Sequence, residues 1–280
     1  MADTSAVDFD EFDNLEGLCS ELDAPPAIEI SLPDKPEPKL PRPVKPIIRT
    51  RGSVAVTSPQ QQRSEQIRDL CQQRKITDIC HFTRIENLKG IITEGLLPRA
   101  ELEKRSVDSR PVFPDEIRRD GLTDASCLSI TFPNYKMFYQ KRRESNDDHL
   151  WVVIVYDYSV ITRLNCAFTV HNAAASVNIV KNLRSRNNVE SLAESFDDFG
   201  NIQRNELRIP DNYTTNPQSE VLAFEAIPAN YIKRVVFYSP ASLNKWLEEH
   251  RSIYPLNKIA IDKGKYGSRR DYKYWQKGAF

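Results

Sequence analysis

Six consecutive apolar residues, from Trp151 to Tyr156, constrain the fold of this 280-residue chain more than any other feature. The run is far shorter than the ~18 apolar residues that a membrane-spanning helix requires. Because it is rich in β-branched and aromatic residues, it predicts a buried strand, which we place at residues 150–158. This run is therefore the strongest predicted strand of a globular core, and no membrane association is expected.

The rest of the pattern predicts strands and helices without regular β-α-β alternation. Further strands are predicted at residues 76–82, 127–131, 219–226 and 232–238. Helices are predicted at residues 64–75 and 135–143, after a Thr83-x-x-Glu86 capping box, and after Ser239 as an N-cap. Long loops are expected at residues 99–125 and 182–215. Elements of both types in this order indicate an α+β fold.

The chain begins with a segment that has the composition of a leader and linker. Residues 1–34 contain ten acidic residues and no Lys or Arg, and apolar residues recur among them at helical spacing from Phe9 to Leu22. Six prolines between positions 33 and 46 favour an extended linker. We therefore expect a disordered leader at residues 1–62, a globular domain at 63–255 and a C-terminal tail at 256–280. The acidic helix could dock on its own domain or on a partner, and a leader without a docking function is the alternative.

The net charge of zero conceals an asymmetry between the leader and the rest of the chain. Beyond residue 34, 39 basic and 29 acidic residues leave a net charge of +10, which would attract phosphate backbones. The predicted tail mixes Lys and Arg with Tyr and Trp, a composition that suits single-stranded nucleic acid. An ordinary solvated surface is the alternative explanation.

The cysteines and the N-terminus indicate the compartment. Five cysteines form an odd set without CxxC spacing, so we interpret them as reduced thiols and expect no metal site. The N-terminus has neither a basic start nor an apolar stretch typical of a signal peptide. We therefore expect a cytoplasmic protein, which we predict to be a monomer.

Three segments contain the residues with potential chemistry: His81-Phe82-Thr83, residues 129–139, and residues 216–220, which end at Glu220 before an apolar strand. Taken singly, each has a structural explanation, since a histidine beside a strand often only packs and Glu220 could be an edge-strand charge. Together, a histidine at the end of one strand and a glutamate at the start of another suit an enzyme that binds a ribose. The carboxylate would stabilise positive charge that develops on that ribose.

These segments resemble the DarT family, toxins that ADP-ribosylate bases of nucleic acid, over about residues 77–240. The resemblance implies an ADP-ribosyltransferase-like split β-sandwich with flanking helices, which binds NAD as a co-substrate and needs no metal. It implies mono-ADP-ribosylation of single-stranded DNA with release of nicotinamide, in a toxin–antitoxin or phage-defence system. A cognate antitoxin would then be a partner, which the acidic leader could recruit.

The resemblance also assigns roles to individual residues. Glu220 would be the catalytic carboxylate, whereas Glu225, five residues on, points to the other face of the strand. The predicted NAD-binding residues are His81, Phe82, Thr83, Gly90 and Tyr139, the last by stacking near the nicotinamide. The predicted substrate-binding residues are Arg184, Arg186, Arg204 and Tyr213, in the loop before Glu220.

One position departs from the family pattern. The family's second segment usually carries an arginine after the proline of this strand-to-helix turn, and here that place is Asn134. Lys136 is our first choice to take the catalytic role of that arginine, with Lys141 and Arg142 as others and a solvated cation as the alternative. A lysine carries a point charge, whereas an arginine can form two parallel hydrogen bonds. The protein could therefore modify a different nucleobase from other members of the family.

Three other functions remain compatible with the residues. The same chemistry could act on RNA, and no residue distinguishes RNA from DNA. A protein-directed ADP-ribosyltransferase is a second alternative, against which the charge of +10 argues. A non-catalytic nucleic-acid-binding module is the third, and the presence of His81 and Glu220 argues against it.

Overall fold

The computed structural model describes residues 58–105, 111–113, 121–173, 180–252 and 256–276. These residues belong to one compact unit, Thr57–Phe280. The acidic helix and the proline-rich linker predicted before residue 57 lie outside the described residues. Among those that are described, no helix has the length and apolar character to cross a bilayer.

Seven strands form a mixed sheet in the order β4-β5-β2-β1-β3-β6-β7. They are β1 Asp78–Arg84, β2 Ser126–Ile130, β3 Trp151–Asp157, β4 Cys166–Phe168, β5 Val221–Ala223, β6 Ile232–Phe237 and β7 Ile259–Ile261. Neighbours are antiparallel except β6 and β7, which are parallel. The five predicted strands and the α+β class are confirmed, whereas β4 and β7 were not predicted.

Eight helices among the described residues surround the sheet. They are α1 Pro59–Gln73, α2 Leu88–Glu94, α3 Arg99–Leu102, α4 Tyr135–Ser145, α5 Ser159–Arg163, α6 Val189–Glu194, α7 Arg204–Leu207 and α8 Pro240–His250. Ser239 caps α8 as predicted, with its hydroxyl accepting from the amide of Ser242. Helix α1 begins five residues earlier than predicted because Ser58 caps it and Pro59 suits its first position. Helices α6 and α7 lie inside residues 182–215, so the expected long loop is wrong.

The predicted capping box at Thr83 and Glu86 is also wrong. Thr83 lies inside β1, opposite Val152 of β3, and its hydroxyl accepts a hydrogen bond from Asn87. Glu86 instead pairs with Arg84 at 3.0 Å. The strand therefore extends two residues further than predicted, and His81 lies in its middle and not at its end.

Both faces of the sheet are covered, which explains why β3 is apolar at every position from 151 to 156. Val152, Ile154 and Tyr156 pack into the larger core, beneath α1 and α8. Val153 and Val155 pack on the opposite face in a second cluster with residues of α4 and the C-terminal segment.

The segment predicted as a C-terminal tail packs on the domain. Strand β7 extends the sheet beside β6, and the hydroxyl of buried Tyr266 lies within hydrogen-bond distance of the carbonyls of Trp151 and Val236, at 2.9 and 3.0 Å. Trp275 is buried as well. These two rings pack in the interior, so they cannot stack on nucleic-acid bases as the tail prediction required.

Asp78 links the start of β1 to β6 through two ion pairs. We expect these ion pairs to stabilise the fold less as the pH becomes acidic. Its carboxylate accepts from Lys233 at 2.6 Å and from Arg234 at 2.7 Å. Burial by itself would raise the pKa of Asp78, but the hydrogen bond from Lys233 and the charges of Lys233 and Arg234 outweigh it and lower the pKa. A carboxyl group of lowered pKa stabilises the fold above its unfolded pKa of about 3.9, and this stabilisation is lost as pH falls through the folded pKa.

We expect Asp78→Asn to lower the free energy of unfolding by about 2 kcal/mol at neutral pH, since two charge-assisted hydrogen bonds are weakened. The difference from the wild type should shrink below about pH 4, where the carboxyl group of the unfolded wild type takes up a proton, and should vanish once the folded carboxyl is protonated too. Urea denaturation at a series of pH values measures both effects. A difference that stays constant down to about pH 2 would show that the charge of Asp78 has no part in the effect.

Candidate active-site cleft

A cleft opens where strands β1 and β2 separate. These strands pair at only two positions, Ile79 with Ile130 and Cys80 with Ser129, whereas β1 pairs with β3 along its whole length. The cleft lies between residues 81–83 on one side and 126–128 on the other, and α2 and α3 close it. Its volume of about 450 Å³ is in the range of small-molecule sites.

His81 bridges the two diverging strands. Its Nδ1 lies 2.9 Å from the carbonyl oxygen of Cys127. Because a carbonyl can only accept, Nδ1 must carry the proton, and Nε2 of the neutral ring is then an acceptor. This tautomer suits a ligand hydroxyl. Phe82 and Thr83 also line the cleft, although the ring of Phe82 is stacked on Phe138 at 4.6 Å and thus also belongs to the core.

Glu220 lies immediately before β5 and lines the same cleft. Since Val221 pairs with Leu128, Glu220 follows on beside Ser129, where β2 still pairs with β1. Its side chain is buried, and Oε2 accepts a hydrogen bond from the amide of Ala173 at 3.0 Å. Its own amide donates to the hydroxyl of Thr169 at 3.1 Å. A carboxylate oriented in this way is a preorganised negative charge.

Asn134 lines the cleft where β2 leads into α4. Its side-chain oxygen accepts from the amide of Met137 as the N-cap of the helix, and its backbone amide donates to the hydroxyl of Ser129. Asn134 is 2% exposed, and its Nδ2 has no hydrogen-bond partner among the described residues. A buried amide group without a partner costs about 1–3 kcal/mol, which an acceptor group on a ligand would offset.

Four cationic side chains line the cleft, namely Lys89, Arg99, Arg105 and Lys141. Arg105 pairs with Glu94 at 2.5 Å, and Arg99 pairs with Glu103 at 2.6 Å. Charged groups of this kind suit the phosphates of a ligand. Of these four side chains, only Lys141 was among the predicted candidates.

Asn87 fixes one wall of the cleft. Its amide group donates to the carbonyl of Val112 at 2.7 Å and accepts from the amide of the same residue at 2.8 Å. The guanidinium of Arg99 lies 4.4 Å above the ring of Phe113. These contacts hold residues 111–113 over the cleft. No sequence pattern indicates this role, since an asparagine at a strand-to-helix junction is common.

Two predicted site residues on α4 do not reach the cleft. Lys136 donates from Nζ to the carbonyl of Trp275 at 3.0 Å, and burial lowers its pKa. It is therefore a structural link and does not take the place of the family arginine. Met137 and Lys141 line the cleft one helical turn apart, so Tyr139, halfway between them, points elsewhere. Its predicted stacking on nicotinamide is not compatible with this position.

The four predicted substrate-binding residues lie outside the cleft as well. Arg186 donates to the carbonyl of Phe168 and to Glu194, and Arg204 donates to the hydroxyl of Thr215 and to two carbonyls. Irregular backbone needs such donors, so both arginines hold the segment before Glu220 together. Arg184, paired with Asp124, is the most exposed of the three arginines, at 58%. Tyr213 lies 5.6 Å from Phe132, beside the turn that leads to Asn134.

The arrangement favours binding a ligand rich in phosphate and hydroxyl groups and stabilising positive charge on it. Cations line the entrance, His81 offers an acceptor, Asn134 a donor and Glu220 a fixed negative charge. Within the described part of the chain, no three His, Cys, Asp or Glu residues come together as a possible metal site.

Comparison with known proteins gives two sets of matches. A family model described as "ssDNA thymidine ADP-ribosyltransferase, DarT" matches residues 80–266. The fold is similar to Thermosipho africanus DarTG in complex with ADP-ribose, with a TM-score of 0.47 and 16% identity over 68% of this chain, which spans only 50% of that one. It is also similar to Thermus sp. 2.9 DarT in complex with NAD+ and with ADP-ribosylated ssDNA. Each of these two structures has a TM-score of 0.45 and 18% identity over 69% of this chain. The match covers 98% of the Thermus chain in the NAD+ complex and 97% of it in the complex with ADP-ribosylated ssDNA. No curated protein matches.

Proposed function

Because the chain belongs to the DarT family of ssDNA thymidine ADP-ribosyltransferases, we propose that it transfers ADP-ribose from NAD to a thymidine base of single-stranded DNA. The observation that carries the proposal is the position of Glu220. Its buried carboxylate is fixed by Ala173 and lines the cleft that also contains His81. The predicted pair of histidine and glutamate therefore meets in one place.

The residues present fit NAD. The cationic side chains Lys89, Arg99 and Arg105 suit its two phosphates, and the acceptor nitrogen of His81 suits a ribose hydroxyl. The unsatisfied amide of Asn134 suits a carbonyl oxygen of the nicotinamide or of the acceptor base. When bound, NAD supplies the ADP-ribosyl group and nicotinamide as the leaving group.

Glu220 is the residue that we propose to act on the reacting ribose. Breaking the bond between ribose and nicotinamide develops positive charge on the sugar, as in glycoside cleavage. A carboxylate that is already oriented stabilises this charge more than the ground state, which lowers the barrier. The attacking ring nitrogen of thymine must also lose its proton, and Glu220 is the carboxylate of the cleft best placed to accept it.

The wider role follows from the family in the same way. We propose that the protein acts as a toxin restrained by a cognate antitoxin, in a toxin–antitoxin or phage-defence system. Its residence in the cytoplasm and its monomeric state stay predictions. A role of the acidic leader in binding the antitoxin also stays a prediction.

The test is incubation with labelled NAD and four acceptors: a thymidine-containing single-stranded oligonucleotide, the same oligonucleotide without thymidine, RNA, and total protein. We expect label on the first acceptor alone, with one nicotinamide released for each ADP-ribose attached. Label on RNA or protein alone would favour one of the alternative acceptors. Intact NAD with no label on any acceptor would favour the non-catalytic binding module.

Gly90 and Gly95 allow a matched test of NAD binding on α2. A Cβ atom at Gly90 would have no neighbour within 4 Å, whereas at Gly95, with φ of +92°, it would lie 2.5 Å from the carbonyl oxygen of Ile227. We expect Gly90→Ala to keep or raise stability by up to about 1 kcal/mol and to raise the KM for NAD about tenfold, because its methyl group points into the cleft. Gly95→Ala should instead lower the free energy of unfolding by at least about 2 kcal/mol.

Kinetics with varied NAD and urea denaturation of both variants measure these effects. An unchanged KM for NAD in Gly90→Ala would contradict the close approach of the cofactor to this helix. Gly95→Ala serves as the control for damage to the fold.

A further inference from the structure

The C-terminal residues 269–275, here called the C-terminal strap, contain a buried ion pair. Arg269 and Asp271 are 3% and 2% exposed. The guanidinium donates to both carboxylate oxygens, at 2.9 Å from Nε and 2.5 Å from Nη2. The indole of Trp275 also donates to Asp271, at 2.9 Å. Two charges are held out of water here in a fork-like geometry that fixes the orientation of Arg269.

Arg269 uses its remaining donors on the segment that leads to Glu220. It donates to the carbonyl of Thr214 at 2.8 Å and to that of Thr215 at 3.2 Å. Its guanidinium also lies 5.4 Å from the ring of Tyr213. The strap therefore fixes residues 213–215, five to seven positions before the catalytic carboxylate.

The strap also contacts the start of α4, next to the cleft-lining residue Asn134. The carbonyl of Trp275 accepts from Nζ of Lys136, two residues after Asn134. The rings of Phe132 and Tyr213 meet at 5.6 Å and close the same ring of contacts. Residues 131–136 and 213–219, here called the acceptor wall, are thus joined to each other through the strap.

The hydrogen bonds that orient Glu220 and His81 come from strands of the sheet and the residues that follow them. Glu220 is oriented from β4 and the residues after it, through Thr169 and Ala173. His81 lies on β1 and is fixed by Cys127 of β2. The family match ends at residue 266, so the strap lies beyond the segment that the family model covers.

We propose that the C-terminal strap is a positioning element that sets the acceptor wall at the distance required for transfer to DNA. The inference rests on the proposed function. The acceptor base must approach the ribose beside Glu220 to about 3–3.5 Å, and the acceptor wall contains Asn134 and leads directly into Glu220, both of which line the cleft. When the strap is loosened, cleavage of NAD continues, but water competes with the misplaced base for the ADP-ribosyl group.

The test uses the full chain with Arg269→Met and Asp271→Asn combined. Removing both charges avoids an unpaired buried ion, and asparagine still accepts from Trp275. The readout is the ratio of ADP-ribose attached to single-stranded DNA to nicotinamide released, which is independent of the folded fraction of the enzyme. We expect this ratio to fall at least fivefold, with the KM for NAD within twofold of the wild type.

Lys136→Met is the second variant, since it removes the hydrogen bond to Trp275, and we expect its ratio to fall about twofold. A lower rate with an unchanged ratio in both variants would overturn the proposal, because a purely structural strap lowers both products equally. If the wild type attaches no ADP-ribose to DNA at all, the proposed function is wrong, and the role of the strap that rests on it is wrong as well.

Discussion

Glu220→Gln is expected to slow ADP-ribosyl transfer about 100- to 1,000-fold, the usual effect of removing a preorganised group that stabilises transition-state charge. Glutamine has the same size, and its oxygen can still accept from the amide of Ala173, so the fold should remain intact. Only the negative charge is lost. The rate of transfer to a single-stranded oligonucleotide with enzyme in excess measures the effect, and calorimetry of NAD binding should show little change.

Glu225→Gln is the matched control for this substitution. Glu225 lies just beyond the same strand, is exposed, and accepts from the amide of Asn165, outside the cleft. We expect its transfer rate to stay within twofold of the wild type. A Glu220→Gln enzyme that kept more than a tenth of the wild-type transfer rate would show that the carboxylate does not take part in the mechanism as proposed.

Asp271→Asn as a single substitution is expected to have the largest effect on stability. It leaves the guanidinium of Arg269 buried without a counter-charge, and breaking a buried ion pair from one side costs about 3–5 kcal/mol. For a domain of this size, the melting temperature should then fall by roughly 10 °C. Thermal unfolding followed by circular dichroism measures it.

Asp262→Asn is the control, because Asp262 is exposed and asparagine can replace it as the acceptor for the amide of Gly264. Its melting temperature should differ by less than about 2 °C. Restoration of most of the stability in the double variant Arg269→Met with Asp271→Asn would show that the unpaired charge is the cause. Equal melting temperatures for Asp271→Asn and Asp262→Asn would contradict the importance of the pair.

The sequence predicted those parts of the fold that local pattern determines. Strand β3 follows from its unbroken apolar run, and the cap of α8 from Ser239 followed by proline. The meeting of His81 and Glu220 in one cleft, however, depends on the register of β1, β2 and β5, which no local pattern contains. This part of the site was predicted only through the resemblance to the DarT family.

The errors arose where a side chain's role depends on distant partners. Arg186 and Arg204 lie in a segment whose composition suits nucleic-acid binding, yet a carbonyl of β4, the carboxylate of Glu194 and the hydroxyl of Thr215 accept their hydrogen bonds. The prediction for Tyr139 is wrong because the position of a residue around the helix axis, and not its proximity in sequence, decides which residues of α4 face the cleft. Tyr266 and Trp275 of the predicted tail are buried because they contact Trp151 and Lys136, which lie more than a hundred residues away.

The two-position ladder between β1 and β2 has a mechanical consequence. It divides the sheet into three strands on one side and four on the other, joined by a seam much narrower than the seven paired positions between β1 and β3. A twist of one half against the other disturbs fewer hydrogen bonds at this seam than at the wide boundaries of β3 with β1 and with β6. The width of the cleft therefore depends on few interstrand hydrogen bonds, and a molecule that bridges both halves adds contacts across this boundary.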